Sequence, residues 1–281
     1  MIRSAVTISL VEQARSGPFV YHGDLAAGCR SAAELGYHAV EIFAPSLTAV
    51  PASQLQPLLK ETGLSVAAVG TGAGWLIHQL SLTSPDAGVR RQAIQFIQSM
   101  IEFGGQYEAP AIIGSMQGRH GGEVTPTQAH DWLRAALDEL GEEARRYNVP
   151  LIYEPLNRYE TNLANTQAAG VELLQSLQTD NVRLLADLFH MQIEEVNVAS
   201  ALLQGGRHIG HVHFVDSNRR PAGCGHMDYG PIVSALREIG YDRYVSAEAL
   251  PWPDSQSAAA QTMRAYHYWF GRPDGATDVS A

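Results

Sequence analysis

Apolar residues cluster into short runs that return at regular intervals along the chain, separated by longer segments of mixed character. Uninterrupted runs of this length are typical of strands that are buried on both faces, as in a parallel sheet. Eight runs fit this description and predict strands at residues 4–10, 38–43, 65–71, 110–115, 150–155, 182–188, 209–215 and 244–250.

The segments between these runs repeat apolar residues three and four positions apart, which is the periodicity of an amphipathic helix. They predict helices at residues 24–36, 53–63, 84–105, 125–148, 165–178, 197–206, 229–240 and 257–271. Asp24 and Gly36 are placed to begin and end the first helix. Pro85 suits the first turn of the third helix, and Pro57 must lie in the first turn of the second helix or kink it.

Eight strands that alternate with eight helices predict an α/β fold, a (β/α)₈ TIM barrel in which residues 1–281 form a single domain. An open, doubly wound sheet is the alternative, but no glycine-rich dinucleotide-binding turn follows the first strand. No linker or change of composition divides the chain, and residues 272–281 are predicted to be a frayed tail.

The composition is that of an ordinary globular protein, with 45% hydrophobic and 17% charged residues. Acidic side chains number 29 and basic ones 19, and the resulting net charge of −10 disfavours nucleic acid as a partner. Two cysteines are too few for a disulfide framework. Because we find neither a signal peptide nor an apolar run long enough to span a membrane, we expect no membrane partner and a cytoplasmic setting.

Polar residues close the last four predicted strands. These residues are Glu154, Asp187, His213 and Glu248, and the gaps between them are 33, 26 and 35 residues. Each gap matches one strand–helix unit of the predicted barrel. In TIM barrels the active site lies at the C-terminal ends of the strands, so we expect all four side chains on one rim.

Three carboxylates crowded on one rim would resist ionisation unless a cation neutralises them. Oxygen ligands with one imidazole suit one divalent ion, such as Mn²⁺, Mg²⁺ or Co²⁺. The alternative is that these residues only cap helices or pair with arginines; Asp187 would then be a turn residue and His190 a partly buried polar contact. His211, two residues before His213, is expected one layer deeper in the barrel.

Several segments resemble the xylose-isomerase-like superfamily of sugar isomerases and epimerases, and within it the D-tagatose 3-epimerase and D-psicose 3-epimerase group. The segments are YEPLNRYE at 153–160, ADLFHMQIEE at 186–195, SPDAGVR at 84–90, SAEAL at 246–250 and the stretch from GHVHFVDSNRR to EIGYD at 210–242. The resemblance is dense from about 150 to 250 and weak before residue 60.

This resemblance implies a set of site residues. The group holds one divalent metal, commonly Mn²⁺ or Co²⁺, and the matching ligand positions are Glu154, Asp187, His213 and Glu248. The matching substrate contacts are His190, Arg219 and Glu160. The loop after the seventh strand departs from the group, with VDSNR where the epimerases carry GEANR, and it adds His226 as a further candidate for substrate binding.

A hydroxyketone at such a site would have an acidified proton beside its carbonyl group. Glu154 and Glu248 on opposite sides of that carbon could remove and return the proton, which gives epimerisation or aldose–ketose isomerisation through an enediolate. We therefore predict a metal-dependent sugar isomerase or epimerase. Its expected partner is a small sugar or keto-polyol, and a homo-oligomer is compatible with the sequence.

Two other functions stay open at this point. Expulsion of a β-hydroxyl would make the protein a dehydratase or lyase on a keto-sugar or keto-inositol, with His190 or His226 as the proton donor. A sugar-binding barrel without catalysis is the other alternative, although both candidate base carboxylates are present. An endonuclease is disfavoured, because it would need a basic groove and a larger metal cluster.

Overall fold

Eight parallel strands close into a barrel in the computed structural model, which describes residues 1–271. The barrel strands are β1 (Arg3–Ser9), β3 (Ala39–Phe43), β4 (Ser65–Gly70), β5 (Ala111–Ile113), β6 (Leu151–Tyr153), β7 (Val182–Asp187), β8 (Ile209–His213) and β9 (Tyr244–Ala247). A further strand of two residues, β2 (Tyr21–His22), pairs with the end of β1. All eight predicted strands are thus confirmed.

The barrel closes because β1 pairs with both β3 and β9. Ala5 lies beside Ala39 on one side, and Val6 lies beside Ala247 on the other. The predicted (β/α)₈ barrel is therefore confirmed over the open sheet. The tail predicted at 272–281 lies outside the described residues, and the single-domain organisation of the whole chain stays a prediction.

Ten α-helices occur within residues 1–271. They are α1 (Leu25–Glu34), α2 (Ala52–Thr62), α3 (Ala73–His78), α4 (Ala87–Gly105), α5 (Pro126–Arg145), α6 (Gln167–Gln175), α7 (Leu188–Glu194), α8 (Val198–Gly205), α9 (Tyr229–Glu238) and α10 (Ser255–Phe270). The eight predicted helices are all present. The short helices α3 and α7 are additional and lie directly after strands β4 and β7, at the rim of the barrel.

Neither proline lies in the first turn of its helix, which corrects the prediction for Pro85 and leaves the second alternative for Pro57. Asp86 caps α4, with its carboxylate accepting hydrogen bonds from the backbone amides of Gly88 and Val89, so Pro85 lies before the helix and not in its first turn. Pro57 is the sixth residue of α2, beyond the first turn. It removes one backbone hydrogen bond from the middle of that helix because proline has no N–H group.

The apolar core lies mainly between the outer face of the barrel and the helices, and a smaller cluster lies inside the barrel. The inner cluster takes one residue from each of four successive strands: Ala68, Ile112, Ile152 and Leu185. It fills the barrel beneath the polar rim, so the functional side chains rest on a packed floor. No helix within residues 1–271 is long and apolar enough to cross a membrane.

Candidate active site

A cavity of about 400 Å³ opens at the C-terminal ends of the barrel strands. Its apolar wall comes from the loop after β1, including Phe19, and from Phe43, Trp75 and Leu76. Its polar wall consists of Glu41, Glu154, Glu160, His190, His213, Arg219 and Glu248. Six of the eight predicted site residues therefore line one cavity. Asp187 lies directly beside them, within hydrogen-bond distance of His213.

Asp187 uses its two carboxylate oxygens for different purposes. Its Oδ1 accepts hydrogen bonds from the backbone amides of Phe189 at 2.8 Å and His190 at 3.3 Å, which caps helix α7. Its Oδ2 lies 3.1 Å from Nδ1 of His213. Asp187 therefore caps α7 and, in the same conformation, turns its second carboxylate oxygen toward His213.

His213 lies among four carboxylates. Its Nδ1 faces Asp187 at 3.1 Å, Glu248 at 3.5 Å and Glu154 at 3.8 Å, whereas its Nε2 lies 3.2 Å from Oε1 of Glu41. The charges of Glu248 and Glu41 raise the pKa of His213 well above its usual value, even though burial acts in the opposite direction. Nδ1 of His213 thus faces Asp187, Glu154 and Glu248, while Nε2 is held by Glu41.

Glu41 is that anchor. It lies in strand β3, is buried, and bonds through Oε2 to Nε2 of His211 at 2.8 Å. Burial would raise the pKa of Glu41, but His213 and His211 together hold it well below its usual value. His211 lies one layer below His213, as expected, and the two imidazoles share the Glu41 carboxylate. A carboxylate behind a histidine of this kind fixes the ring orientation.

Glu154 directly follows strand β6, and its position depends on Gln117 and Gly114. The buried side-chain amide of Gln117 donates to the carbonyl of Glu154 at 2.9 Å and to that of Gly114 at 3.0 Å. A Cβ atom at Gly114 would lie 2.5 Å from Oε2 of Glu154, so only glycine leaves room for this carboxylate. Oε1 of Glu154 is buried and has no hydrogen-bond partner among the described residues.

The cluster of carboxylates fits a divalent cation. One ligand atom each from Glu154, Asp187 and His213 lie within 4.8 Å of one another. Burial raises the pKa of Glu154 well above its usual value and also raises the pKa of Glu248, and repulsion from Asp187 adds to both shifts. A bound cation would favour the ionised forms and satisfy the unpartnered oxygen of Glu154.

Arg219 balances part of this negative charge. Its guanidinium bonds to Glu248 and lies 3.5 Å from Asp187. Burial would lower the pKa of Arg219, but the charges of Glu248 and Asp187 raise it above its usual value. The neighbouring Arg220 points elsewhere, with its guanidinium 4.1 Å from the ring centre of Trp252.

The loop that carries Arg219 is organised by Asp216. This buried carboxylate accepts hydrogen bonds from the backbone amides of Ser217 and Gly223, each at 2.8 Å, and from that of Met227 at 3.2 Å. Arg219 itself has a φ of +59°, in the left-handed region. A strained backbone at a site residue is stable only when its surroundings fix it, and Asp216 provides much of that support.

His190 is presented to the cavity by Asn157. The backbone amide of Asn157 donates to Nδ1 of His190 at 3.3 Å, which favours the neutral ring with its proton on Nε2, and Nη1 of Arg219 lies 3.4 Å from that Nε2. Nε2 faces the site, 3.7 Å from Glu154 and 3.8 Å from Asp187. The side chain of Asn157 also donates to Glu160 at 3.0 Å. One asparagine thereby positions both of these candidate substrate contacts.

The structure does not bring His226 to this site. Its side chain is exposed, and it does not belong to the described residues that line the cavity. Its backbone amide donates to Oγ of Ser217 at 3.3 Å, so the residue belongs to the loop ordered around Asp216.

Four polar residues that line or support the site were not identified from the sequence: Glu41, Gln117, Asn157 and Asp216. Glu41 left a usable signal, because a carboxylate within the apolar strand AVEIF must have a partner when buried. Gln117, Asn157 and Asp216 lie in loops, and their roles depend on contacts with distant or irregular backbone that no periodicity reveals.

The amino-acid sequence is similar to that of a known protein family and of several characterised enzymes. The Xylose isomerase-like TIM barrel family matches residues 29–266. The chain is 30% identical to L-ribulose 3-epimerase of Mesorhizobium japonicum over 218 residues, which cover 77% of this chain and 72% of that protein. It is 29% identical to D-psicose 3-epimerase of Ruminiclostridium cellulolyticum over 223 residues, covering 77% and 75% of the two chains.

Solved structures show the same fold. A D-psicose 3-epimerase crystallised in the presence of D-fructose superposes with a TM-score of 0.79 and 20% identity, covering 96% of this chain and all of that one. The strands that deliver the polar cluster lie within the segment that the family profile matches. On this evidence, the chain belongs to the xylose isomerase-like TIM barrel family.

Proposed function

We propose that this protein is a divalent-metal-dependent sugar epimerase or isomerase that acts on a ketose by proton transfer through an enediolate. The observation that carries the proposal is the arrangement of Glu154 and Glu248 around His213, with one carboxylate oxygen of each within 4 Å of the same imidazole nitrogen. The similarity to curated ketose 3-epimerases supports the same reaction class.

We infer that Glu154, Asp187, His213 and Glu248 would hold one divalent cation, with Mn²⁺ as the first choice and Mg²⁺ or Co²⁺ as alternatives. The donor set of three carboxylates and one imidazole, with no thiolate, favours these ions. When bound, the cation would act as a Lewis acid that polarises the substrate's carbonyl group. Glu41 fixes His213 so that its Nδ1 faces the cluster.

Glu154 and Glu248 are the proposed acid–base pair. They follow β6 and β9, which are separated in the barrel by β7 and β8, so the two carboxyls approach the cavity from different sides. One carboxylate removes the proton from the carbon beside the carbonyl group, and the other carboxyl returns a proton to the opposite face. This inverts the carbon, whereas return to the neighbouring carbon gives an aldose.

His190, Arg219 and Glu160 are the proposed substrate contacts. Nε2–H of His190 can donate to a substrate oxygen, because Asn157 occupies Nδ1. Arg219 supplies a second donor beside Glu248 and can stabilise negative charge on an enediolate oxygen. Glu160, 3.8 Å from His190 and half exposed, can accept from a sugar hydroxyl at the mouth of the cavity.

The dehydratase alternative receives less support from this geometry. It requires a proton donor for the leaving hydroxyl, and His226 lies outside the cavity lining. His190 could act in that way, but its position beside the acid–base pair serves substrate orientation equally well. We therefore do not propose a lyase.

The test is a product analysis of the Mn²⁺-loaded protein on a panel of free ketoses, hydroxypyruvate and a keto-inositol. We expect an epimer or an aldose from a ketose, and loss of product after chelator treatment. A dehydrated product would contradict the proposal and indicate a lyase. Turnover that is equal before and after removal of the metal would contradict the metal requirement.

A further inference from the structure

A second cavity of about 480 Å³ adjoins the catalytic one. The two cavities share three lining residues, Trp75, Ser115 and Glu160, so they meet at the mouth of the active site. Trp75 lies in helix α3 and leaves 40% of its surface exposed. The acid–base pair proposed above contacts only the first cavity.

The second cavity is lined by neutral hydrogen-bonding groups, one guanidinium and two carboxylates, one of which is the shared Glu160. Hydroxyls come from Ser81, Thr83 and Ser84, and the other two charges come from the exposed side chains Arg119 and Glu123. Within residues 1–271, no hydrogen bond or ion pair engages the guanidinium of Arg119, so its donors are available to a ligand. A phosphate would meet the repulsion of Glu123 and Glu160, whereas a neutral polyol can donate to these carboxylates and accept from Arg119.

The cavity has a rigid floor. Gly118 packs so closely on the 81–83 segment that a Cβ atom there would lie 2.1 Å from Oγ of Ser81 and 2.2 Å from Oγ1 of Thr83. The hydroxyl of Thr83 donates to the carbonyl of Gln117 at 3.0 Å. The side-chain amide of the same Gln117 donates to the main-chain carbonyl of Glu154, so the floor of the second cavity is connected to the backbone that carries this residue. Such a site needs little rearrangement on binding.

Resting on the proposed function, we propose that the second cavity binds a sugar ring joined by a glycosidic bond to the reacting ketose. The substrate class would then be a ketose-containing disaccharide. A free ketose would occupy only the catalytic cavity. The second ring would contact the indole of Trp75 with its apolar face and the Ser84, Arg119 and Glu123 groups with its hydroxyls. Aromatic side chains that offer a flat apolar surface suit this role.

The test compares D-fructose with two disaccharides that contain it, isomaltulose and maltulose. The variant is Arg119→Ala/Glu123→Ala, which removes two exposed groups that line only the second cavity. The control is Asp131→Ala/Arg134→Ala, an exposed ion pair on α5 that lines neither cavity and removes the same charges. Both kcat/KM and calorimetric affinity are measured on the Mg²⁺-loaded protein.

We expect kcat/KM for at least one disaccharide to exceed that for D-fructose by about tenfold or more. The Arg119→Ala/Glu123→Ala variant should lose about tenfold on that disaccharide and stay within about twofold on D-fructose. The proposal is overturned if neither disaccharide exceeds D-fructose, or if the variant weakens all three sugars equally.

Failure of the proposed function gives a different result. In that case none of the sugars is turned over, and the calorimetric affinities alone show whether the second cavity binds the second sugar ring. Tighter binding of a disaccharide than of D-fructose, lost in the Arg119→Ala/Glu123→Ala variant and kept in the control, would still support the second cavity. Equal affinities would overturn it.

Discussion

At the scale of single residues, the site depends on side chains such as His213 and Asp187, each of which contacts two different groups of the protein. His213 turns one nitrogen toward Asp187 and the other toward Glu41. Asp187 caps α7 with one oxygen and faces the site with the other. Each side chain is therefore fixed in orientation before any ligand binds, which reduces the entropy lost on binding.

Glu41→Gln should weaken metal binding by about tenfold to a hundredfold, because supporting carboxylates behind metal-binding histidines have effects of this size. Glutamine has a single acceptor oxygen, whereas Glu41 bonds to both His211 and His213. The measurement is a competition titration with a metal indicator. Glu34→Gln, an exposed change on α1, is the control. Equal affinities for the Glu41 variant and the unchanged protein would show that Glu41 does not orient His213.

Arg219→Ala should raise KM by about tenfold to a hundredfold with the metal content unchanged, because it removes charged hydrogen bonds to substrate. Arg220→Ala is the matched control, since that guanidinium lies on Trp252 outside the catalytic cavity. Steady-state kinetics and elemental analysis are both required. Loss of metal from the Arg219 variant would show that this arginine supports the ligands and does not contact substrate.

The sequence was informative about residues that close strands and less so about residues in loops. Glu154, Asp187, His213 and Glu248 could be found because strand spacing places them on one rim. Asn157 could not be found in this way, since its role depends on a contact with His190, 33 positions away. The sequence motif also singled out His226, which the structure places in an exposed position outside the residues that line the cavity.

At the scale of elements, the strand ends decide where the chemistry lies. Strands β6 to β9 each place their last residue or the next one in the polar cluster, and the cap of α7 fixes the direction of Asp187. The helices predicted from periodicity are long enough to show an amphipathic pattern. The helices α3 and α7 have six and seven residues, too few for that pattern, and both border the site.

Gly114→Ala tests how closely the β5 end approaches Glu154. The new Cβ atom would lie 2.5 Å from Oε2 of Glu154 and must displace that carboxylate. A displacement of about 1 Å lowers kcat by about a hundredfold when it moves a catalytic group. Gly230→Ala on α9, whose Cβ would lie 3.3 Å from Asp228, is the control and should keep full activity. An active Gly114 variant would mean that Glu154 tolerates displacement.

At the scale of the whole molecule, the rim concentrates negative charge in a protein whose net charge is already −10. This distribution favours a cation in the barrel and opposes a nucleic-acid backbone. The cytoplasmic setting and the formation of a homo-oligomer stay predictions.

Metal removal should lower the thermal stability, because a ligand that binds only the folded state stabilises it. A free ion at 100 times its Kd contributes about 2.7 kcal/mol, which raises Tm by about 5 °C in a chain of this size. The change in Tm is measured by calorimetric melting after chelation and again after reloading with Mn²⁺. The Asp187→Asn variant should show a much smaller rise. An identical Tm with and without the ion would contradict a resident cation.

The most direct test of the central claim is turnover in D₂O followed by NMR on the Mg²⁺-loaded protein. We predict one solvent deuterium at the inverted carbon of each product molecule. We also predict that Glu154→Gln and Glu248→Gln each lower product formation by about a thousandfold. Product that forms without deuterium, or full activity in either variant, would contradict proton transfer by these two carboxylates.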